Sequence, residues 1–400
     1  MNTTTLQLAV QTHLINFPEN KMLTCIYCKT ARFKNDKGSE EHVILSSLGG
    51  KKTSRNICCQ ACNNRLGTEI DEELAKEFSF FSTMLDIKTG RNKTAPTQKN
   101  VIKHEGYTYD INPGGSFKLS KAIVTIEDTA KYEEKSISIV ANSSQEVSKL
   151  FEQALKKFGG SLEDFQKLDG TLNTSYAPTI HRQIALGGEK QLRSITKMML
   201  TYAATLISPE RLRNGCFDPA IEYIEGKNSA YDGIQCDYIT PFPDQPSLDT
   251  INHRIFFITS EKLKLAIGLI EIYGKLRFSA ILSKNWEGPS LLKAYAIDPV
   301  TQKQSNIDLP ISEKIFDFLD QRYMDIENSV NAISHIIQTF QERQSDKVIS
   351  KILYKALKRH IAQEGSVSKE MIEEFSKEVA LEFTKYLFRI ESSENINLKN

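Results

Sequence analysis

Long apolar runs are missing from this chain. Across its 400 residues none approaches the ~18–20 consecutive apolar side chains that a bilayer span requires, and the nearest, Leu263 to Leu276, is broken by Lys264, Glu271 and Lys275. An excess of one charge is missing too, since 51 Lys and Arg stand against 50 Asp and Glu. That balance argues against a surface that coats nucleic acid indiscriminately, although a small basic face survives such averaging. With 20 Gly and 12 Pro the composition excludes collagen-like and disordered classes, and neither a solenoid repeat nor a low-complexity tract is visible. The opening residues carry no basic stretch ahead of their short apolar run, so a signal peptide is not expected. These absences together predict a cytoplasmic protein that does not enter a membrane.

Cysteine is scarce outside one segment. Of seven, Cys25, Cys28, Cys58, Cys59 and Cys62 fall close together, and only Cys216 and Cys236 lie elsewhere. Such clustering in an intracellular chain points to metal rather than disulfides. The pairs Cys25/Cys28 and Cys59/Cys62 have the two-residue spacing that presents two thiolates from one tight turn, as a tetrahedral Zn²⁺ site requires. Zinc would staple a unit whose size leaves it little core of its own. Cys58 lacks that spacing and is expected to point into the small core.

The pattern along the chain predicts an α+β protein in several parts. Residues 1–21 read as an N-terminal arm and 22–85 as the compact cysteine-bearing unit, ending in a helix with Leu74, Phe78 and Phe81 at 3–4 spacing. Residues 86–100 are polar, contain Gly and Pro and show no period, so a linker is expected. Residues 101–324 alternate short strands with helices, with strand signals in HRIFFITS, KLAIGLIEIYG, LRFSAILS and LKAYAIDP, and read as a mixed α+β domain with an antiparallel sheet. Residues 325–400 are helical, with apolar spacing in the runs Val330 to Phe340, Ile349 to Ala356 and Ile372 to Tyr386; Ser368 is the expected N-cap of the last.

The content between and after the cysteine pairs carries the functional signal: CIYC, then EHVILSSLGG, then NICCQACNNRLG. Two Cys-x-x-Cys pairs bracket Glu41-His42, and Asn63 directly follows the last cysteine. This resembles the HNH endonucleases of the zinc-stapled ββα-metal type, over roughly residues 22–75. The resemblance implies hydrolysis of DNA phosphodiesters with His42 as general base, Glu41 and Asn63 as oxygen ligands of a catalytic Mg²⁺ or Mn²⁺, and Asn56 bracing the loop that carries the base. Cys25, Cys28, Cys59 and Cys62 would hold the structural Zn²⁺. The family more often has Asp at the acid position and Pro where Leu45 stands. Lys29, Arg32, Lys34, Lys37, Lys51, Lys52, Arg55 and Arg65 make the segment basic, and Lys51, Lys52, Arg55 and Arg65 are the expected phosphate contacts. Chains with a small HNH module and a large extra region are frequent in bacterial restriction and phage defence, so the remainder is expected to regulate cutting, through an activating nucleotide, a protein partner or self-association. No motif in residues 101–400 chooses among these.

Plainer readings stand beside these. A zinc ribbon without catalysis would make the protein a DNA-binding or adaptor module. His13, His104, His181, His253, His335 and His360 belong to no ligand-spaced cluster and are expected at the surface or partly buried. Gly159-Gly160 and Gly187-Gly188 lack the flanking pattern of a phosphate loop and are expected to be turns. The basic run Lys351 to His360 reads as a solvated helix face. Trp286 is expected beside a turn, and the C-terminal apolar stripes are expected to form a bundle core.

Overall fold

The computed structural model describes residues 21–400 apart from 92, 130–133, 159–168, 175–183, 230, 232, 241–250, 310–314, 318–325, 361–366, 389, 391 and 398–400. Nearly all of the expected N-terminal arm, His181 and the Gly159-Gly160 pair lie outside the described residues.

Strands β1 (Met22–Thr24) and β2 (Arg32–Lys34) pair antiparallel around the turn that carries Cys25 and Cys28. β3 (Glu41–His42) pairs with β4 (Thr53–Ser54), setting Glu41 opposite Ser54 and His42 opposite Thr53. A single 3₁₀ turn, Ser46–Leu48, reverses the chain between them and ends at Gly49 with φ +88°. At the next residue, Gly50, a Cβ would stand 1.8 Å from the Ile44 carbonyl oxygen, so the turn closes only without a side chain. α1 (Gln60–Leu66) starts directly after Cys59 and continues through a π-helical turn, Gly67–Asp71, into α2 (Glu72–Met84), where Leu74, Phe78 and Phe81 are buried as their spacing predicts.

Residues 86–100 do not run free as a linker. Ile87 and Ala95 are buried, the Gly90 N–H donates to Ser46 O, and Thr83 Oγ1 donates to Pro96 O at 2.7 Å. The polar composition reflects backbone bonding to the cysteine-bearing unit, which needs no apolar side chains. β5 (Gln98–His104) then opens a small antiparallel sheet with β6 (Tyr107–Ile111) and β7 (Phe117–Leu119). A hairpin, β8 (Ile123–Thr129) and β9 (Glu134–Val140), leads to α3 (Ser144–Phe158) and β10 (Asp169–Thr174).

The centre of the molecule is α4 (Glu189–Ala204) lying on a six-stranded antiparallel sheet. After the short helices α5 (Pro209–Leu212) and α6 (Asp218–Ile224), that sheet is built from β11 (Ile234–Cys236), β12 (His253–Ser260), β13 (Leu265–Ile272), β14 (Leu276–Ser283), β15 (Leu291–Ile297) and β16 (Gln304–Asp308), in the order β11-β14-β13-β12-β15-β16. Alternation along β12 sends Ile255 and Phe257 into the core under α4, and Phe256 and Ile258 into a second core on the far face with Ile267, Leu269 and Phe316. Gly268 lets α4 approach closely, since a Cβ there would stand 2.6 Å from Met199 Cβ. One contiguous core contains Val43, Ile44, Leu48, Ile57 and Leu66 of the cysteine-bearing unit together with Met199, Tyr202, Ile255 and Tyr273.

The C-terminal region has two described helices where three apolar runs were expected. The first two runs fuse into α7 (Ile326–His360), and α8 (Lys369–Leu387), N-capped by the Ser368 hydroxyl as expected, packs along it. α8 buries no residue completely: of its stripe Ile372 is exposed and Phe375, Val379, Phe383 and Tyr386 are half-buried, so the stripe does not form a closed bundle core. Strand β17 (Ser392–Asn397) pairs with β10. Trp286 lies between bends, as expected, and its ring is buried in the core, packed on Phe217 and Phe257 with its indole N–H donating to Pro289 O.

Candidate active site and metal centre

The two turns predicted to carry thiolates do meet. The sulfurs of Cys25, Cys28, Cys59 and Cys62 all lie within 4.8 Å of one another. Burial, and then the neighbouring Cys25, hold the Cys62 thiol above its ordinary range, a crowding that a divalent cation relieves by binding the thiolates. Four sulfur donors from two tight turns fit tetrahedral Zn²⁺. Cys58 turns away into the core, as its spacing predicts, and burial raises its thiol too.

His42 is half-buried on β3, and the burial lowers its pKa below the usual 6.5, with Glu40 opposing the shift and Arg91 and Lys197 adding to it. Strand alternation decides its neighbours. Thr53, directly across from His42, donates to Glu40 Oε1 at 3.4 Å, and Arg55 Nη2 reaches the same oxygen at 3.2 Å. Glu40, His42, Thr53 and Arg55 therefore share one face. Asn63 sits behind it, its Nδ2 donating to Ser39 Oγ at 2.7 Å and to Glu40 O at 2.9 Å, which clamps the backbone just ahead of His42 to the first helix. Glu40, which directly precedes the strand, was not singled out in the sequence, although it stands two residues before His42 in an extended segment.

Glu41 points the other way. Its carboxylate is buried, with Oε1 2.5 Å from Lys197 Nζ and Oε2 without a hydrogen-bond partner. The same ammonium lies 2.6 Å from Asp71 Oδ2, and Ser194 Oγ donates to Asp71 Oδ1 at 2.6 Å. Burial raises the Glu41 pKa, Lys197 opposes that and Asp71 adds to it. The expected convergence of Glu41, His42 and Asn63 on one cation is thus not what the structure presents, because consecutive strand residues face opposite sides. Asn56 braces a different turn from the one expected: its Oδ1 accepts the Asp36 N–H at 2.7 Å and its Nδ2 donates to Asp36 Oδ1 at 2.8 Å.

The basic residues divide in the same way. Lys51 Nζ donates to Gly90 O at 3.0 Å, and Lys52 donates to Asn306 Oδ1 at 2.7 Å while lying over the rings of Tyr202 and Tyr295. Arg65 bridges Glu69 at 3.0 Å and Glu225 at 2.6 Å. Lys52 and Arg65 therefore join the cysteine-bearing unit to the central domain. Arg55, half exposed, pairs with Glu40 at the open face, and Arg91 is near enough to act on His42.

Among the described residues no helix is long and apolar enough to cross a membrane. No curated protein and no solved structure matches the chain. Residues 25–79, which contain the four-cysteine centre, β3, β4, α1 and most of α2, match the family model described as HNH endonuclease, and this segment is an HNH domain with four cysteines positioned to bind a metal ion.

Proposed function

We propose that the protein is a metal-dependent endonuclease that hydrolyses DNA phosphodiester bonds at its HNH domain. The observation that carries this reading is the open face on which His42, Glu40 and Arg55 stand together, clamped by Asn63 to a helix that begins at the metal centre. His42 takes the proton of the attacking water; its lowered pKa keeps the imidazole neutral and able to do so near pH 7. A divalent cation, Mg²⁺ or Mn²⁺, would be held by the Asn63 amide oxygen and a glutamate carboxylate on the open face, oxygen donors of the kind such hard cations take. When bound it would stabilise charge on the phosphate and the departing oxygen. Arg55 and Arg91 would grip the DNA backbone, and such contacts hold phosphate without reading sequence. An activating nucleotide or protein bound by residues 101–400 would have a route to this site, because the HNH domain and the central sheet share one core.

The test is cleavage of plasmid, linear duplex, branched and single-stranded DNA with Mg²⁺ or Mn²⁺, with and without added nucleotides. Wild type is expected to cut at least one form, and His42→Ala to cut it slower by about 10²–10⁴-fold with zinc content unchanged. Binding without cutting by both proteins would favour the zinc-ribbon adaptor reading and dismiss the nuclease.

A further inference from the structure

A fully buried ammonium at the edge of the HNH domain comes from outside it. Lys197 belongs to α4, its side chain is 1% exposed, and its Nζ lies 2.5 Å from Glu41 and 2.6 Å from Asp71. Asp71 ends the π-helical turn that joins α1 to α2 and is itself fixed by Ser194 from the same face of α4. Glu41 is half of a two-residue strand whose other half is His42. A long-range clamp of three charged groups thus closes directly behind the proposed base.

We propose that Lys197 and Asp71 are positioning residues of the nuclease site: they grip Glu41, and through it hold the strand that presents His42, so that Glu41 is an anchor and not a cation ligand. This rests on the nuclease reading above. A hydrated Mg²⁺ or Mn²⁺ keeps several of its waters and needs an open approach, whereas one Glu41 oxygen is taken by Lys197 and the other is enclosed. Glu40 is the carboxylate left on the open face, its side chain 41% exposed. A rotation of β3 by one residue would exchange the two glutamates and carry His42 inside, and the buried clamp opposes that slip. Because misplacing a reacting group by about 1 Å can cost about 10²-fold in rate, an anchor acts on turnover rather than on metal or DNA affinity.

The experiment compares Glu41→Gln, Lys197→Met, Lys197→Arg, the double variant Glu41→Gln/Lys197→Met and Glu40→Gln in the full-length zinc-loaded protein. It measures kcat, KM for DNA, half-saturating Mn²⁺, Mn²⁺ binding by calorimetry, and amide exchange at Val43, whose N–H donates to Lys52 O beside β3. Glu41→Gln and Lys197→Met are expected to lower kcat by about tenfold or more, leave half-saturating Mn²⁺ and KM within about twofold, and speed Val43 exchange. The double variant should be no worse than either single one, and Lys197→Arg should recover part of kcat. Glu40→Gln should raise half-saturating Mn²⁺. A rise in half-saturating Mn²⁺ or a loss of Mn²⁺ binding in Glu41→Gln matching that of Glu40→Gln would overturn the proposal, as would additive losses in the double variant. Should wild type cut no DNA, the nuclease reading falls by itself, and Mn²⁺ binding with Val43 exchange still decides whether Glu41 is ligand or anchor.

Discussion

A histidine outside the HNH domain tells most clearly how residues join that domain to its support. His253, at the start of β12, is fully buried, with Nε2 3.0 Å from Leu48 O and Nδ1 accepting the Tyr273 N–H at 3.1 Å. That pattern needs the neutral ring protonated on Nε2, and burial drives its pKa down to about 4. Between pH 6.5 and pH 4 the unfolded chain therefore binds a proton that the folded one refuses, and stability falls as the pH drops through that window. At about 1.4 kcal/mol for each pH unit between the two values, the loss approaches about 3 kcal/mol. Denaturant titrations at pH 7 and pH 4.5 should show it in wild type, and His253→Gln should flatten the slope. As a sequence letter His253 is one of several unclustered histidines, expected at the surface or partly buried. Nothing near it in the chain announces the Leu48 carbonyl, because the bond joins residues more than 200 positions apart. His42 and the four paired cysteines were legible because their chemistry rests on short spacings. Lys197 and Asp71 were not, for the reason that hides His253.

Elements repeat that division. β3 is only two residues long, and its position depends on the turn at Gly49-Gly50, on the Asn63 clamp and on α4. α4 in turn depends on Gly268, where a side chain on β13 would meet Met199 of the helix. Gly268→Ala should overpack that contact and cost about 1–3 kcal/mol, measurable as a lowered denaturation midpoint with an unchanged slope. Strands β12 to β15 were readable because their apolar runs and turns are continuous in the chain. The pairing order, which places β11 beside β14 and β15 beside β12, was not, since hydrophobic pattern specifies a face and not a neighbour. The stripe on α8 shows the limit from the other side: its 3.6 period predicts a helix correctly but does not say what covers it.

At the scale of the molecule, the four-cysteine centre and the sheet share one core. The core that holds Cys25 and Cys62 also holds Phe257 and Ile297, so removing the metal should loosen more than the small domain. Calorimetry is expected to show the HNH domain and the central sheet melting in one transition that moves down as a whole when a chelator strips the zinc. A separate low-temperature transition, with the main one unmoved, would mean independent folding. A near-neutral chain with a local cluster of basic residues fits this arrangement. Lys52 and Arg65 tie the domain to its support, while Arg55 pairs with Glu40 at the open face and Arg91 acts on His42.

The sequence alone determined the four-cysteine metal centre and the likeness to HNH endonucleases, and it offered His42 as the proposed base, because the Cys-x-x-Cys pairs and the Glu-His and Cys-Asn phrases depend on residues a few positions apart. Only the tertiary structure decided which glutamate faces the base, that residues 86–100 are packed rather than free, and that a lysine from α4 closes the site from behind. Those outcomes depend on which groups meet across more than a hundred residues of chain and on which of them lose their water when they do.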